Sequence, residues 1–363
     1  MRILALYLPQ FHTFKENDEW WGEGYTEWTA VRRAKPCYKG HVQPRVPLDD
    51  IYYDLDKDGA ATLKKQAELA KKYGIYGISI YQYYFKGKLL MEKPMETLLA
   101  HPEIDLNYCI CWANESWTRT WYGLENEVLM KQEYGDESDF RAHFDYLLKF
   151  FKDERYIKVD NRPMLQIYRT FEIEKLAKMR SLFDEWAKEE GFDGIFLVSG
   201  KTAGQIDNRC DVIDAYYTFE PGYSLKHCLS AFNTFRYNFS VLFRTLLNKV
   251  RKNKLLERRL PIKWIYKAIT ERDYAEDEFP GVIARWDNTP RRAHKGLVYT
   301  GASPERFETA LLALRSKVQG RKNDFVMLNA FNEWGEGAMI EPDKQEGMAY
   351  LEAIRKVVDT LDE

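Results

Sequence analysis

The sequence has almost no excess of charge: 54 Lys and Arg stand against 56 Asp and Glu, a formal net charge of −2 over 363 residues. That removes the broad electropositive field a sequence-independent nucleic-acid binder needs, so no nucleic-acid partner is expected. Cysteine is scarce as well. Cys37, Cys109, Cys111, Cys210 and Cys228 form no C-x-x-C pair and no dense framework, which speaks against a zinc centre and a disulfide scaffold and fits a reducing compartment. No apolar run approaches the ~20 residues of a membrane-spanning helix. Met1-Arg2 leads straight into ILALYLP, too short and too soon interrupted by Pro9 for a signal peptide. The expectation from these absences is a soluble, cytoplasmic protein.

Aromatic residues are plentiful instead. Phe, Trp and Tyr make up 15% of the chain, with ten Trp and twenty-four Tyr, and many sit in short polar motifs. Flat rings beside polar groups suit sugars, whose C–H faces stack while their hydroxyls hydrogen-bond, although large aromatics also simply fill cores. Eight β-like apolar runs are separated mostly by helical patterns: 3–9, 75–84, 107–113, 163–169, 194–200, 211–219, 281–286 and 324–331. Near-continuous apolar strands imply burial on both faces, hence parallel strands covered by helices. Leu63, Gln66, Ala67, Ala70 and Tyr73 form one helical stripe before a stop at Gly74, and Ser303-Pro304 reads as an N-cap followed by Pro at the first helical position. The expectation is an α/β fold, a (β/α)8 TIM barrel forming one catalytic domain over 1–363, with a doubly wound open sheet as the alternative.

In a barrel, chemistry gathers where strands end. Here the ends are polar and aromatic: Gln10 and His12 after the first run, Tyr81 and Tyr83 in the second, Trp112, Asn114, Glu115 and Trp117 at the third, Trp286 and Asp287 at the seventh, Asn332, Glu333, Trp334 and Glu336 at the eighth. Two stretches depart from a plain barrel. Residues 20–50, rich in Trp, Gly and Glu, have the composition of a binding loop expected to fold over the mouth. Residues 223–275 carry about a dozen Lys and Arg against three acids, with Phe232, Phe235, Phe239, Leu242, Phe243, Leu246, Leu247 and Val250 at amphipathic-helix spacing. Their plain reading is a helix docked on the barrel with a solvated basic face. The sharper one is a peripheral contact with anionic lipid headgroups at the inner membrane face, or with a polyanionic glycan; a protein partner is a further option.

FNEWGEGAMIEPD, residues 331–343, places Glu333 and Glu336 three positions apart after the apolar run 325–328. Breaking or making a glycosidic bond needs one group to protonate the leaving oxygen and another to supply or activate a nucleophile, and two carboxylates in different environments meet that demand. Glu115, at another strand end, is a rival partner for Glu333, and the acids could also be rim salt bridges and helix caps. A nucleotide-sugar transferase would need a diphosphate site, and Asp54-Leu55-Asp56, the nearest match, reads better as an acidic helix start.

YLPQFH (7–12), WWGEGYTEW (20–28), QPRVPLD (43–49), CWANESWTR (111–119), RWDNTPRR (285–292) and NAFNEWGEGAMIEPD (329–343) together resemble the WbsX family, which is related to glycoside hydrolase family 99. The resemblance runs from the first residues to the last helix. Asn161 stands where the family tends to have Gly, and FEPGY (219–223) where a Phe-Pro-Pro sequence is usual. The resemblance implies a (β/α)8 barrel and mannosidase-like ancestry, a retaining reaction and no metal or cofactor. It gives Glu333 the role of base toward the sugar's own 2-hydroxyl and Glu336 that of acid, then base, at the leaving oxygen. Around this pair, Trp112, Trp117, Trp286 and Trp334 are candidate stacking faces, at least two of which belong to the core on the plain reading. Tyr7, Gln10, His12, Glu27, Tyr81, Tyr83, Asn114, Glu115, Arg119, Asp287 and Asn332 are candidate hydroxyl-binding groups, with a structural hydrogen bond the alternative for His12. Arg285 and Arg292 read as rim or helix-cap cations unless the substrate is acidic. The expected partner is an oligosaccharide or polysaccharide. Three functions stay open: a glycosidase or transglycosylase, a nucleotide-sugar-dependent glycosyltransferase in polysaccharide assembly, and a silent glycan-binding barrel.

Overall fold

A computed structural model describes residues 1–118 and 128–360; Arg119 lies outside them. Nine parallel strands form the central sheet: β1 (Arg2–Tyr7), β2 (Ile75–Phe85), β3 (Asn107–Trp112), β4 (Arg162–Ile167), β5 (Phe196–Lys201), β6 (Ala215–Thr218), β7 (Glu278–Phe279), β8 (Gly281–Ile283) and β9 (Phe325–Asn329). Their order is β7-β6-β5-β4-β3-β2-β1-β9-β8. β7 and β8 are consecutive in the chain, so the two ends of the sheet meet across Pro280. Proline has no N–H for the ladder, and it divides one strand position in two. Glu278–Phe279 pairs with β6, and Gly281–Ile283 pairs with β9. The nine strands therefore occupy the eight positions of a (β/α)8 barrel.

The covering helices follow the sequence stripes. The helices are α1 (Lys15–Trp21), α2 (Glu27–Arg33), α3 (Gly59–Tyr73), α4 (Lys93–Ala100), α5 (Glu137–Phe151), α6 (Leu176–Glu189), α7 (Ala231–Val250), α8 (Ile262–Glu271), α9 (Thr289–Arg292), α10 (Pro304–Val318) and α11 (Ala349–Asp359). Leu63, Gln66, Ala67, Ala70 and Tyr73 of α3 are all buried, and the helix stops at Gly74, whose φ of 77° a side chain would disfavour. Ser303 caps α10 by accepting a hydrogen bond from the Arg306 N–H, with Pro304 at the first helical position. No helix among the described residues is long and apolar enough to cross a membrane.

Strand alternation decides which side chains reach the barrel's mouth. On β2, Tyr81 and Tyr83 point inward, whereas Tyr84 stacks on His143 of α5 at 3.9 Å between centroids, and Gln82 accepts a hydrogen bond from the His143 Nε2 at 2.9 Å. Trp112 is in register with Gln82 and shares its outward face.

The basic insertion departs from its plain reading. Of the 20 residues of α7 only Asn248 is buried, and the side turned to solvent is the apolar one: Phe232 and Phe235 are each 68% exposed and Phe239 62%. The spacing that identifies an amphipathic helix carries no information on which face meets a neighbour.

Candidate active site

Glu333 follows β9 at the C-terminal end of the barrel and opens a tight turn. Trp334–Glu336 form one 3-10 turn, Gly337 reverses the chain at a φ of 58°, and the Ala338 N–H returns to the Glu333 carbonyl at 3.1 Å. Asp287 N–H donates to the Glu336 carbonyl at 2.7 Å, tying this turn to the end of β8. Both glutamates line a cavity of about 280 Å³. Gln10, Tyr81, Tyr83, Glu115 and Trp286 line it too, joined by Tyr168, Phe219, Asn288, Arg291 and Arg292.

One guanidinium organises the acids. Arg291 of α9 donates from Nε to Glu27 Oε1 at 2.8 Å and from Nη2 to Glu333 Oε2 at 2.9 Å, and its Nη1 is 3.0 Å from Glu336 Oε1. Glu27 is fully buried and Glu333 nearly so. Three carboxylates thus share one planar cation, a geometry that suits the arginine fork and would not suit an ammonium. Burial pushes Glu333 well above the usual carboxylate range; Arg291 opposes the rise, and the charges of Glu336 and Glu27 add to it. Glu336 is raised as well, again chiefly by burial, with Arg291 opposing and Glu27 reinforcing. Two like charges beside each other in a buried site hold a proton between them more readily than either alone, so the titration belongs to the pair. Glu115 is separately paired with Arg169, and burial raises it too.

Gly335 is required by this arrangement. A Cβ there would collide with the Glu27 carboxylate and with Arg291 Nε. Gly335→Ala is expected to destabilise the fold by about 1–3 kcal/mol, the usual range for overpacking. Displacing the ion cluster is expected to lower turnover further, by roughly 10–100-fold. Thermal unfolding beside steady-state kinetics checks this, and a variant with unchanged values for both would show that the turn tolerates the side chain.

The remaining sequence candidates among the described residues do not line the cavity. Tyr7 donates to Gln66 Oε1 at 2.8 Å, and Asn332 clamps Leu8 by accepting from its N–H at 2.7 Å and donating to its carbonyl at 2.9 Å. Asn114 accepts from the Arg169 N–H at 2.8 Å. Trp112 donates to the Tyr84 carbonyl at 3.1 Å, Trp117 packs its ring against Tyr83 and Trp20, and Trp334 donates to Glu341 Oε2 at 2.6 Å. Glu341 also accepts from Tyr53 and Gln66, and burial raises it to about 7. His12 is buried with Nδ1 near the Thr13 carbonyl at 3.0 Å, and burial lowers its pKa.

Asp287 holds the long first loop. It accepts from Gln43 at 2.7 Å and Thr289 Oγ1 at 2.6 Å, and pairs with His41 at 2.6 Å. Burial lowers His41, yet the hydrogen bonds and charges of Asp287 and Cys37 together outweigh it and raise the imidazole to about 9. Arg291 was not singled out from the sequence. Its signal was a cation pair directly after Pro290, within one turn of a strand end rich in Trp, Asp and Asn.

Comparison with known proteins gives the geometry a family. The profile of the glycosyltransferase WbsX family matches residues 3–354. The chain belongs to the WbsX family. Two uncharacterized WxcX proteins from strains of Xanthomonas campestris pv. campestris are 35% and 34% identical to this WbsX chain over 98% of it. The chain spans about half the length of these curated relatives, 49% in each case. Among solved structures, the GH99 endo-alpha-mannosidase of Bacteroides thetaiotaomicron superposes with a TM-score of 0.59 at 14% identity, covering 99% of the WbsX chain and 96% of the mannosidase. A glycoside hydrolase-like protein gives 0.58 at 12% identity, covering 99% and 94%. At these identities the likeness is one of fold. Family and fold together make this a carbohydrate-active enzyme family.

Proposed function

We propose that the chain breaks glycosidic bonds by a retaining, glycosidase-type reaction and passes the glycosyl group to water or to another sugar hydroxyl. The observation that carries this reading is the pair of buried Glu333 and half-buried Glu336, held by Arg291 in an aromatic-lined cavity at the end of the barrel where strands terminate. Three carboxylates around one cation favour a state in which the Glu333/Glu336 pair keeps one proton between them; burial raises Glu333 strongly, so the roles require that proton to sit on Glu336 when the substrate is bound. In the roles implied by the family resemblance, ionised Glu333 takes the proton of the substrate's 2-hydroxyl as that oxygen closes on the anomeric carbon. Glu336 gives its proton to the leaving oxygen. Glu336 then takes a proton from the incoming water or hydroxyl, whose oxygen opens the 1,2-anhydro ring at the anomeric carbon, while Glu333 returns its proton to the 2-oxygen. Two inversions give net retention. Tyr81, Tyr83, Tyr168, Phe219 and Trp286 supply flat faces for the sugar.

The test is mass spectrometry of the purified chain incubated with mannose-containing and surface-polysaccharide oligosaccharides, with and without nucleotide sugars, beside a Glu333→Gln/Glu336→Gln control. Shortened or redistributed products without nucleotide, lost in the control, are expected. Extension seen only with a nucleotide sugar would overturn the reading in favour of a nucleotide-sugar-dependent transferase. Saturable glycan binding without any product would indicate a binding protein.

A further inference from the structure

The described residues expose twelve large apolar side chains in the range of 37% or more, and seven of them lie on α7: Phe232, Phe235, Phe239, Leu242, Phe243, Leu246 and Val250. At helical spacing these seven fall within an arc of about 100°. They form one continuous stripe along the helix, of the kind that a soluble monomer rarely leaves uncovered. The opposite side attaches to the rest of the molecule by a narrow seam. There Asn248 exchanges hydrogen bonds with the backbone of Leu255, and Tyr237 packs against the core. The stripe is therefore not the face that secures α7 to the barrel.

Charge identifies the occupant. From Gly222 to Leu256 the chain has seven Lys and Arg and no Asp or Glu. A second copy of the chain seated on the stripe would bring two such all-cationic segments together, which disfavours self-association. A partner carrying dense negative charge beside an apolar interior satisfies both observations, and an anionic phospholipid bilayer is such a surface. Phenylalanine and leucine on the buried side of an in-plane helix enter the headgroup boundary, while lysine and arginine stems at its flanks carry their charges back to the phosphates.

Position adds a third observation. The insertion that contains α7 leaves the barrel after β6, whose C-terminal end, with those of β2, β3 and β9, forms the rim around Glu333 and Glu336. We propose that α7 is an interfacial anchor that seats this end of the barrel on membrane surfaces rich in anionic phospholipid. The proposal does not depend on the reaction assigned to the cavity.

The test is flotation of the purified chain with vesicles of phosphatidylcholine alone and with vesicles that also contain phosphatidylglycerol. Binding at least ~10-fold tighter to the anionic vesicles, weakening as salt is raised, is expected. A Phe235→Ser/Phe239→Ser/Phe243→Ser variant is expected to lose that binding by ~10-fold or more while keeping its circular dichroism and melting temperature, since the three side chains contact little in the folded chain. A Lys249→Glu/Arg251→Glu/Lys252→Glu variant provides a second arm that leaves the stripe intact and is expected to lose the preference for phosphatidylglycerol. Equal affinity for both vesicle types, or none for either, overturns the proposal. So does a concentration-dependent dimer in sedimentation velocity, abolished by the Phe variant, without vesicle binding; an acidic protein captured by the same stripe without vesicle binding does likewise.

Discussion

Arg291→Met is expected to lower turnover by roughly 10²–10³-fold, the scale for removing a preorganised charged donor from an active site. It is also expected to destabilise the fold by about 3–5 kcal/mol, because the change leaves buried carboxylates without their cation. Glu27, Glu333 and Glu336 all meet this one side chain. Without it Glu333 and Glu336 would rise further and take up protons, and the base needed for the first step would be neutralised. Arg291→Lys separates charge from geometry. It keeps one positive charge but replaces a planar fork by a compact ammonium, so most of the stability should return and little of the turnover. Thermal unfolding and single-turnover kinetics on the three proteins decide the matter; Arg291→Met with native turnover would remove the guanidinium from the mechanism.

The second expected result concerns which glutamate does what. Glu336→Gln and Glu333→Gln are each expected to reduce kcat/KM by about 10²–10⁴-fold on an ordinary glycan, the range for general acid–base groups. They diverge on a substrate with an activated leaving group, which needs no proton: the Glu336 variant recovers much of its rate in the first step and the Glu333 variant does not. The pH profile gives an independent readout. In the native chain activity falls on the acid side as the base becomes protonated and on the alkaline side as the acid loses its proton. Both limbs are displaced upward from ordinary carboxylates because burial raises both groups. Glu336→Gln removes the alkaline limb. It also moves the acid limb to lower pH, because the charge of Glu336 is one of the causes that raise Glu333. Superimposable profiles for the two variants would defeat the division of roles.

The barrel was legible because its strands are near-continuous apolar runs and its helices carry stripes with readable stops, as at Gly74 and Ser303. The seventh apolar run covers 281–286 and leaves out Glu278–Phe279, since Pro280 conceals that the strand continues on both sides of it. The site was only partly readable. Glu333, Glu336, Glu115, Gln10, Tyr81, Tyr83 and Trp286 come together around one cavity. Trp112 and Trp117 do not, since a strand end names a neighbourhood whereas the pleat decides the face, and register with Gln82 is invisible in one sequence. Trp334 is turned away by its hydrogen bond to Glu341. Arg291 escaped notice because its meaning depends on meeting Glu27, 264 positions away. No local pattern encodes that encounter.

Asp287 gives the site a kinetic character. By fastening His41 and Gln43 it fixes the long first loop against the barrel before any glycan arrives. The loop's freedom is lost during folding and not during recognition, so association lacks a disorder-to-order step. For this loop, among the described residues, recognition then rests on the complementarity of a preset shape rather than on the energetics of ordering.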